Sequence, residues 1–291
     1  MRTFARYPAF AAAGFGATWL GVRAGIPMAL AAPAATGVLM LLLATAEWVA
    51  PLRVEWCRTD GQIANDLGHA VFGCELGLVL AAGVLALIER GTALWLPKGC
   101  RWWPLAWAMP AQLVLGLVAG ECGGYWQHRL FHRVPALWRF HALHHSGTRM
   151  SFLKTGRFHA VDFAAYIVAV DFPAALTGAS PELLAWLGLA INVLGLAQHA
   201  NVGLPTPRWL DSLVATPAVH RLHHSRERAA GNANFGTNVM LLDHLFGTFR
   251  APTDEAPATV GIEDDRTPDG FLPQLASPLY AWAIESAEGR P

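Results

Sequence analysis

Eight of the twelve histidines in this chain fall into three tight clusters: His128-x-x-x-His132, His141-x-x-His144-His145 and His220-x-x-His223-His224. The last two share one spacing and lie 79 residues apart. Residues three and four apart share a helix face, so each cluster can aim two or three imidazoles at one point. Imidazole is the commonest metal ligand in proteins and suits iron, zinc and copper. A first-row ion takes at most about six ligands, and a catalytic one keeps a position open. Eight imidazoles exceed that number and imply two ions. His69 and His244 stand alone and read as structural or ligand-orienting residues.

Several metal chemistries are excluded by what flanks the clusters. A zinc protease carries H-E-x-x-H, with the glutamate as base, whereas Arg129, Leu130 and Phe131 follow His128. Di-iron carboxylate proteins use E-x-x-H on bundle helices, and that pattern is missing. A membrane cytochrome places isolated histidines inside its spans, and the apolar stretches before residue 128 hold none. What remains is an all-histidine, or nearly all-histidine, two-metal site at a membrane surface. Such a site suits iron that activates oxygen against an unactivated C–H bond of a lipid. A zinc-dependent membrane hydrolase is the alternative enzyme class, and a metal carrier or sensor without turnover is a third.

The rest of the chain must hold those clusters at a membrane. Of its 291 residues 54% are hydrophobic and 14% charged, against about 25% charged in globular domains. Mean hydropathy is +0.33, and twelve tryptophans suit interfacial surfaces. An all-α, multi-pass integral membrane bundle is expected. Formal net charge is zero, and no basic patch interleaved with aromatics is present, so a nucleic-acid partner is not expected. Cys57, Cys74, Cys100 and Cys122 are widely spaced without a C-x-x-C pair, which reads as buried or inert thiols and not a disulfide framework.

Four stretches could cross a bilayer: 9–22, 26–48, 70–88 and 102–119. A span needs about 20 apolar residues. The second and third qualify comfortably, the first is short, and Pro110 should kink the fourth. Trp48, Trp95, Trp102 and Trp103 sit at their edges, where interfacial aromatics belong. Arg2 and Arg6 before an apolar run resemble a secretory leader. The apolar sequence continues to Ala46, however, which favours an ordinary first membrane helix.

Segment 121–157 holds six basic residues (Arg129, Arg133, Arg139, Arg149, Lys154, Arg157) and five of the clustered histidines. Cytoplasmic loops are the ones rich in Lys and Arg, so this segment is expected to face the cytoplasm, with the chain in the inner membrane. Arg90, Lys98 and Arg101 would then face outward, against the trend. A second apolar block, 161–179 and 183–197, is split by Ser180-Pro181-Glu182. Asp162, Asp171 and Asn192 interrupt it, and polar groups are costly in lipid. A hairpin only partly embedded is expected there. Three regions follow: a transmembrane region 1–120, a catalytic domain 121–250 that includes the hairpin 161–198, and an acidic, proline-rich cytoplasmic tail 251–291 that docks through Phe271 to Trp282.

The flanks of the clusters carry a resemblance. Gln127-His128-Arg129-Leu130-Phe131-His132-Arg133, His144-His145-Ser146, Arg157-Phe158-His159, Thr216-Pro217, His220-Arg221-Leu222-His223-His224-Ser225, Asn234-Phe235-Gly236 and Asp243-His244-Leu245-Phe246-Gly247-Thr248 resemble signatures of the fatty acid hydroxylase and sterol desaturase superfamily. The likeness covers about residues 115–250. It implies a non-haem di-iron oxygenase that hydroxylates or desaturates an acyl chain or sterol, with two iron ions as cofactor and O2 as co-substrate. It implies that His128, His132, His141, His144, His145, His220, His223 and His224 bind the metals, and that His199 joins them. His159 matches a family position of mixed role, as ligand or as a ligand-orienting group. The family has an acidic residue in the helix after R-x-H, a place Asp162 fills only approximately. Asp243 is a candidate for orienting a ligand imidazole, its other reading being a turn residue before a strand-like Leu-Phe. Electrons must come from a separate protein or reductant, because there is no fused haem signature and no dinucleotide fingerprint; Gly120 to Gly124 is too short for one.

Overall fold

The computed structural model describes residues 4–92 and 102–279. Trp95, Lys98, Cys100, Arg101 and the last part of the tail, with Trp282, lie outside them. Among the described residues there is no β-strand, only three isolated bridges. The long helices are α1 (Arg6–Arg23) and α2 (Met28–Val49), then α3 (Ile63–Gly68), which runs through a π-turn at His69–Gly73 into α4 (Cys74–Thr92). After them come α5 (Met109–Arg133), α6 (Pro135–His145), α7 (Ala160–Leu176) and α8 (Pro181–His199). Short helices α9 (Arg208–Asp211), α10 (Pro217–His223), α11 (Arg228–Gly231), α12 (Leu241–Leu245) and α13 (Phe271–Ala276) complete the cap.

Three described helical stretches are long and apolar enough to cross a membrane: Met28–Val49, Ile63–Gly91 and Pro181–His199. Two coincide with the expected stretches 26–48 and 70–88. The third is the second arm of the block read as a partly embedded hairpin. The outward faces of these helices are apolar, with Val79 and Leu87 each 68% exposed, as lipid-facing side chains must be. Apolar side chains gain little by leaving lipid for each other, so helix contacts in a bilayer depend on close packing of small residues. Helix α5 shows this plainly. Its Gly116, Gly120, Gly123 and Gly124 lie against Leu187 of α8 and Ala169, Val170 and Tyr166 of α7. A Cβ on Gly123 would collide with the Ala169 carbonyl oxygen. That intimacy sets how far His128 on α5 stands from Asp162 on α7.

Helix starts are written in the sequence. Pro135, Pro181 and Pro217 occupy first helical positions, where a missing N–H costs nothing. Ser180 and Thr216 cap α8 and α10 by accepting from the amides of Leu183 and Val219. The segment after residue 250 is tied to the body. Val260 and Ile262 are buried, the Gly261 amide donates to the His224 carbonyl at 3.1 Å, and Phe271 on α13 packs on His69 at 4.8 Å.

Candidate metal centre

Four segments converge on one point. The last turns of α5 bring His128 and His132, and α6 brings His141, His144 and His145. Helix α8 ends on His199, while α10 carries His220 and His223 with His224 at its C-cap. All nine are at most 5% exposed. They sort into two groups: His128, His132, His141, His145 and His223, and His144, His199, His220 and His224. Within each group the candidate ligand atoms lie within 4.8 Å of one another.

The donor geometry tests whether cations fit. His128 Nδ1 donates to the Phe235 carbonyl at 2.8 Å, His223 Nδ1 to the Ala233 carbonyl at 2.8 Å, and His199 Nδ1 to the Gly195 carbonyl at 2.9 Å. His141 Nδ1 donates to Asp162 Oδ2 at 2.8 Å. A neutral ring that donates from Nδ1 presents a bare lone pair at Nε2. Other ring nitrogens crowd these lone pairs: His141 Nε2 lies 3.1 Å from His145 Nε2, and His199 Nε2 lies 3.1 Å from His220 Nε2 and 3.3 Å from His144 Nε2. His128 Nε2 is buried with no hydrogen-bond partner. A shared cation satisfies all of these nitrogens at once, which N–H donation between neutral rings does only pairwise. Ligand nitrogens about 2.1 Å from one first-row ion stand roughly 3 Å apart. The donor set therefore fits two cations. Outward N–H groups held by carbonyl or carboxylate are also what ligating histidines need. His144 departs from this: its Nδ1 has no partner, and its ring stacks on Phe158 at 4.2 Å.

The remaining candidates fall elsewhere. His159 caps α7: its Nδ1 accepts from the Val161 amide, and its Nε2 donates to the Leu275 carbonyl at 2.9 Å. It joins neither group. His69 sits in the π-turn against Gln274, and His244 donates to the Ser212 carbonyl. Asp243 touches no histidine of either group. It accepts from the Phe235 and Gly236 amides and from Thr248, in the short helix α12 and not before a strand. Burial pushes its carboxyl above 3.8, and these three hydrogen bonds pull the other way. Asp162, by contrast, contacts His141 directly and is steadied by Gln127 Nε2 at 3.0 Å. The family likeness, through the acidic position in the helix after Arg157-Phe158-His159, is what points to it.

A buried ionic network holds the end of α6. Arg157 donates from Nη1 to Asp66 at 2.7 Å and from Nε and Nη2 to Ser146 Oγ, the residue after His145. Lys154 sits 3.0 Å from both Asp66 and Asp60.

Burial holds His128, His144, His145, His220 and His224 well below 6.5 in the metal-free protein, with repulsion from neighbouring imidazoles adding to it. They stay neutral and ready to ligate. The unfolded chain takes up a proton on each as pH falls through about 6.5, while the folded chain does not. Stability is thus intact above that pH and is lost as pH drops. Chelator-treated protein in detergent should show a flat melting temperature above about pH 7 and a steep fall toward about pH 5. A flat profile across that range would contradict the assignment of buried neutral rings.

A cavity of about 540 Å³ leads to the histidines. Met40 of α2, Leu78 of α4, Phe163 and Ile167 of α7 and Ile191 of α8 wall it, and His128, His141, His144, His199 and His220 close one end. Among the described residues no lysine or arginine lines it, and the charged side chains there are Glu75, Asp162 and Asp171.

Known proteins match the same region. The fatty acid hydroxylase family profile matches residues 113–248. Ornithine lipid hydroxylase OlsE of Rhizobium tropici is 36% identical over 241 residues, which are 82% of this chain and 72% of that protein. Human alkylglycerol monooxygenase is 25% identical over 219 residues, 75% of this chain, and the chain spans only 46% of its length. A Delta(7)-sterol 5(6)-desaturase of Gibberella zeae is 27% identical over 143 residues, 49% of this chain and 42% of the relative. No solved structure gives a significant match.

Proposed function

The chain belongs to the fatty acid hydroxylase family, and on that premise we propose that its nine clustered histidines hold two iron ions that activate O2 to oxidise a C–H bond of a membrane lipid. It is an oxidoreductase, as its relatives are. The observation that carries the reading is the cavity that joins lipid-facing helices to the two histidine groups. The chain's own residues have three tasks. His128, His132, His141, His145 and His223 hold one ion, and His144, His199, His220 and His224 the other. Asp162 and the carbonyls of Phe235, Ala233 and Gly195 fix the rings. The apolar walls exclude water and align an acyl or sterol skeleton. Insertion of one oxygen atom gives an alcohol, the other leaving as water with two electrons and two protons; removal of one hydrogen from each of two adjacent carbons instead gives an alkene, both oxygen atoms then leaving as water with the same two electrons and two protons.

The acidic lining bears on substrate class. A free fatty-acid carboxylate would find no lysine or arginine among the described residues that line the cavity, and an ionised Asp171 would repel it. A lipid whose polar group bears an amine fits better, and ornithine, the amino acid in the name of the ornithine lipid hydroxylase from Rhizobium tropici, carries one. Electrons come from a separate protein or reductant. The basic residues of 121–157 support a histidine cap on the cytoplasmic side of an inner membrane.

Purified, iron-loaded protein given lipid extract, a reductant and isotopically labelled O2 should yield a hydroxylated lipid carrying the label, or an unsaturated lipid with matching oxygen uptake. Product formed without oxygen or reductant would sink the oxygenase reading in favour of a hydrolase.

A further inference from the structure

Two buried carboxylates grip one loop. Asp243 accepts from the amides of Phe235 at 2.8 Å and Gly236 at 2.6 Å. Glu121, on α5, accepts from those of Thr237 at 2.8 Å, Asn238 at 2.8 Å and Val239 at 3.0 Å. Five consecutive backbone N–H groups are thus satisfied by two side chains, each at most 1% exposed. Both carboxylates fix the loop. They differ in what lies at the far end of the peptide groups they hold.

The Gly236 amide and the Phe235 carbonyl belong to a single peptide group. Its N–H points at Asp243, and its oxygen accepts from His128 Nδ1 at 2.8 Å. The peptide groups held by Glu121 end elsewhere: the Thr237 carbonyl accepts from Gln198 Nε2 at 2.9 Å and the Asn238 carbonyl from the Ala215 amide at 3.0 Å. A carboxylate at the N–H end of a peptide group polarises it, and its carbonyl oxygen becomes a stronger acceptor. Space for this contact is made by glycine. A Cβ at residue 236 would stand 2.8 Å from Asp243 Oδ2 and 2.6 Å from the Val239 carbonyl oxygen.

We infer that Asp243 is a positioning residue that acts on His128 through the Phe235–Gly236 peptide group, fixing the ring and raising its basicity as a ligand. His141 receives the same influence by direct contact with Asp162. The five-histidine group therefore takes carboxylate input twice, once directly and once relayed. Glu121 supplies grip without relay. The inference rests on the two-metal reading above.

That difference gives a matched pair for a test on iron-loaded, full-length protein: Asp243→Asn against Glu121→Gln. Both should lower the melting temperature, because each weakens the loop's anchorage. Only Asp243→Asn should also reduce iron retention against a competing chelator, by about ten- to a hundredfold, and shift the Mössbauer signal of one ferrous ion. Asp243→Glu, which keeps the charge, should recover much of the retention. Where Asp243→Asn does not accumulate, Gly236→Ala asks the same question with both charges intact: its Cβ crowds the Val239 carbonyl oxygen and the Asp243 carboxylate together and so parts the carboxylate from the peptide group, and the same shift is expected. Equal spectral shifts in Asp243→Asn and Glu121→Gln, or none in the Asp243 and Gly236 variants, would overturn the relay. Absence of iron from the unmodified protein would instead overturn the metal reading, so the two failures are separable.

Discussion

His223→Ala is expected to lose metal from the five-histidine group and to abolish lipid oxidation, with activity down by more than about a hundredfold. The floor comes from chemistry: removing a group that merely orients a ligand costs ten- to a hundredfold in affinity or activity, and a ligand itself must cost more. His223 is fully buried, its ring stands 4.5 Å from that of His128 and 4.8 Å from that of His145, and its Nδ1 is held by the Ala233 carbonyl. Its truncation leaves no neighbour able to replace it. His144→Ala should do the same to the four-histidine group. His159→Ala is the control, since that ring caps α7 and lies in neither group. It should keep its metal and lose only about 1 kcal/mol of stability. Metal content and turnover measured on all three settle the matter; full metal in His223→Ala and His144→Ala would refute the two-metal arrangement.

Arg157→Ala should be the most damaging change outside the histidines. Arg157 is 1% exposed, pairs with Asp66, which is fully buried, and donates to Ser146 and the Leu143 carbonyl beside His144 and His145. Removing one partner of a buried ion pair costs about 3–5 kcal/mol. Lys154 stays 3.0 Å from Asp66 and shares the load, so the lower end, about 3 kcal/mol, is expected. A melting temperature lower by roughly 6–12 °C would match it. Iron retention should fall too, because the end of α6 loses its tether. A variant that melts within about 1 °C of the unmodified protein would show the network to be dispensable.

What the sequence made legible follows from what helical spacing encodes. Three histidine clusters at intervals of three and four had to share helix faces, and the structure brings all of them together. His199 carries no such spacing; the family likeness alone pointed to it, and the end of α8 delivers it to His144 and His220. Asp162 contacts a histidine 21 residues away, a pairing that depends on how α6 folds back on α7 and leaves no local pattern. The grip of Glu121 and Asp243 was illegible for another reason: their partners are backbone amides, which every residue but proline has. Composition also set the limits on topology. Asp162, Asp171 and Asn192 argue for a partly embedded hairpin, and its second arm, Pro181–His199, has the length and apolarity of a span.

Helices α6 and α10 each serve both histidine groups. His141 and His145 point to one and His144, between them in the turn, to the other; His223 parts company with His220 and His224 in the same way. Neither helix can be braced for one ion without being braced for its neighbour. Loss of the ion in one group would loosen the helices that hold the other, so the two groups would bind metal with linked affinities. With iron in both, that linkage would disfavour a lone ion beside a lipid tail, able to start oxygen chemistry without a partner to finish it.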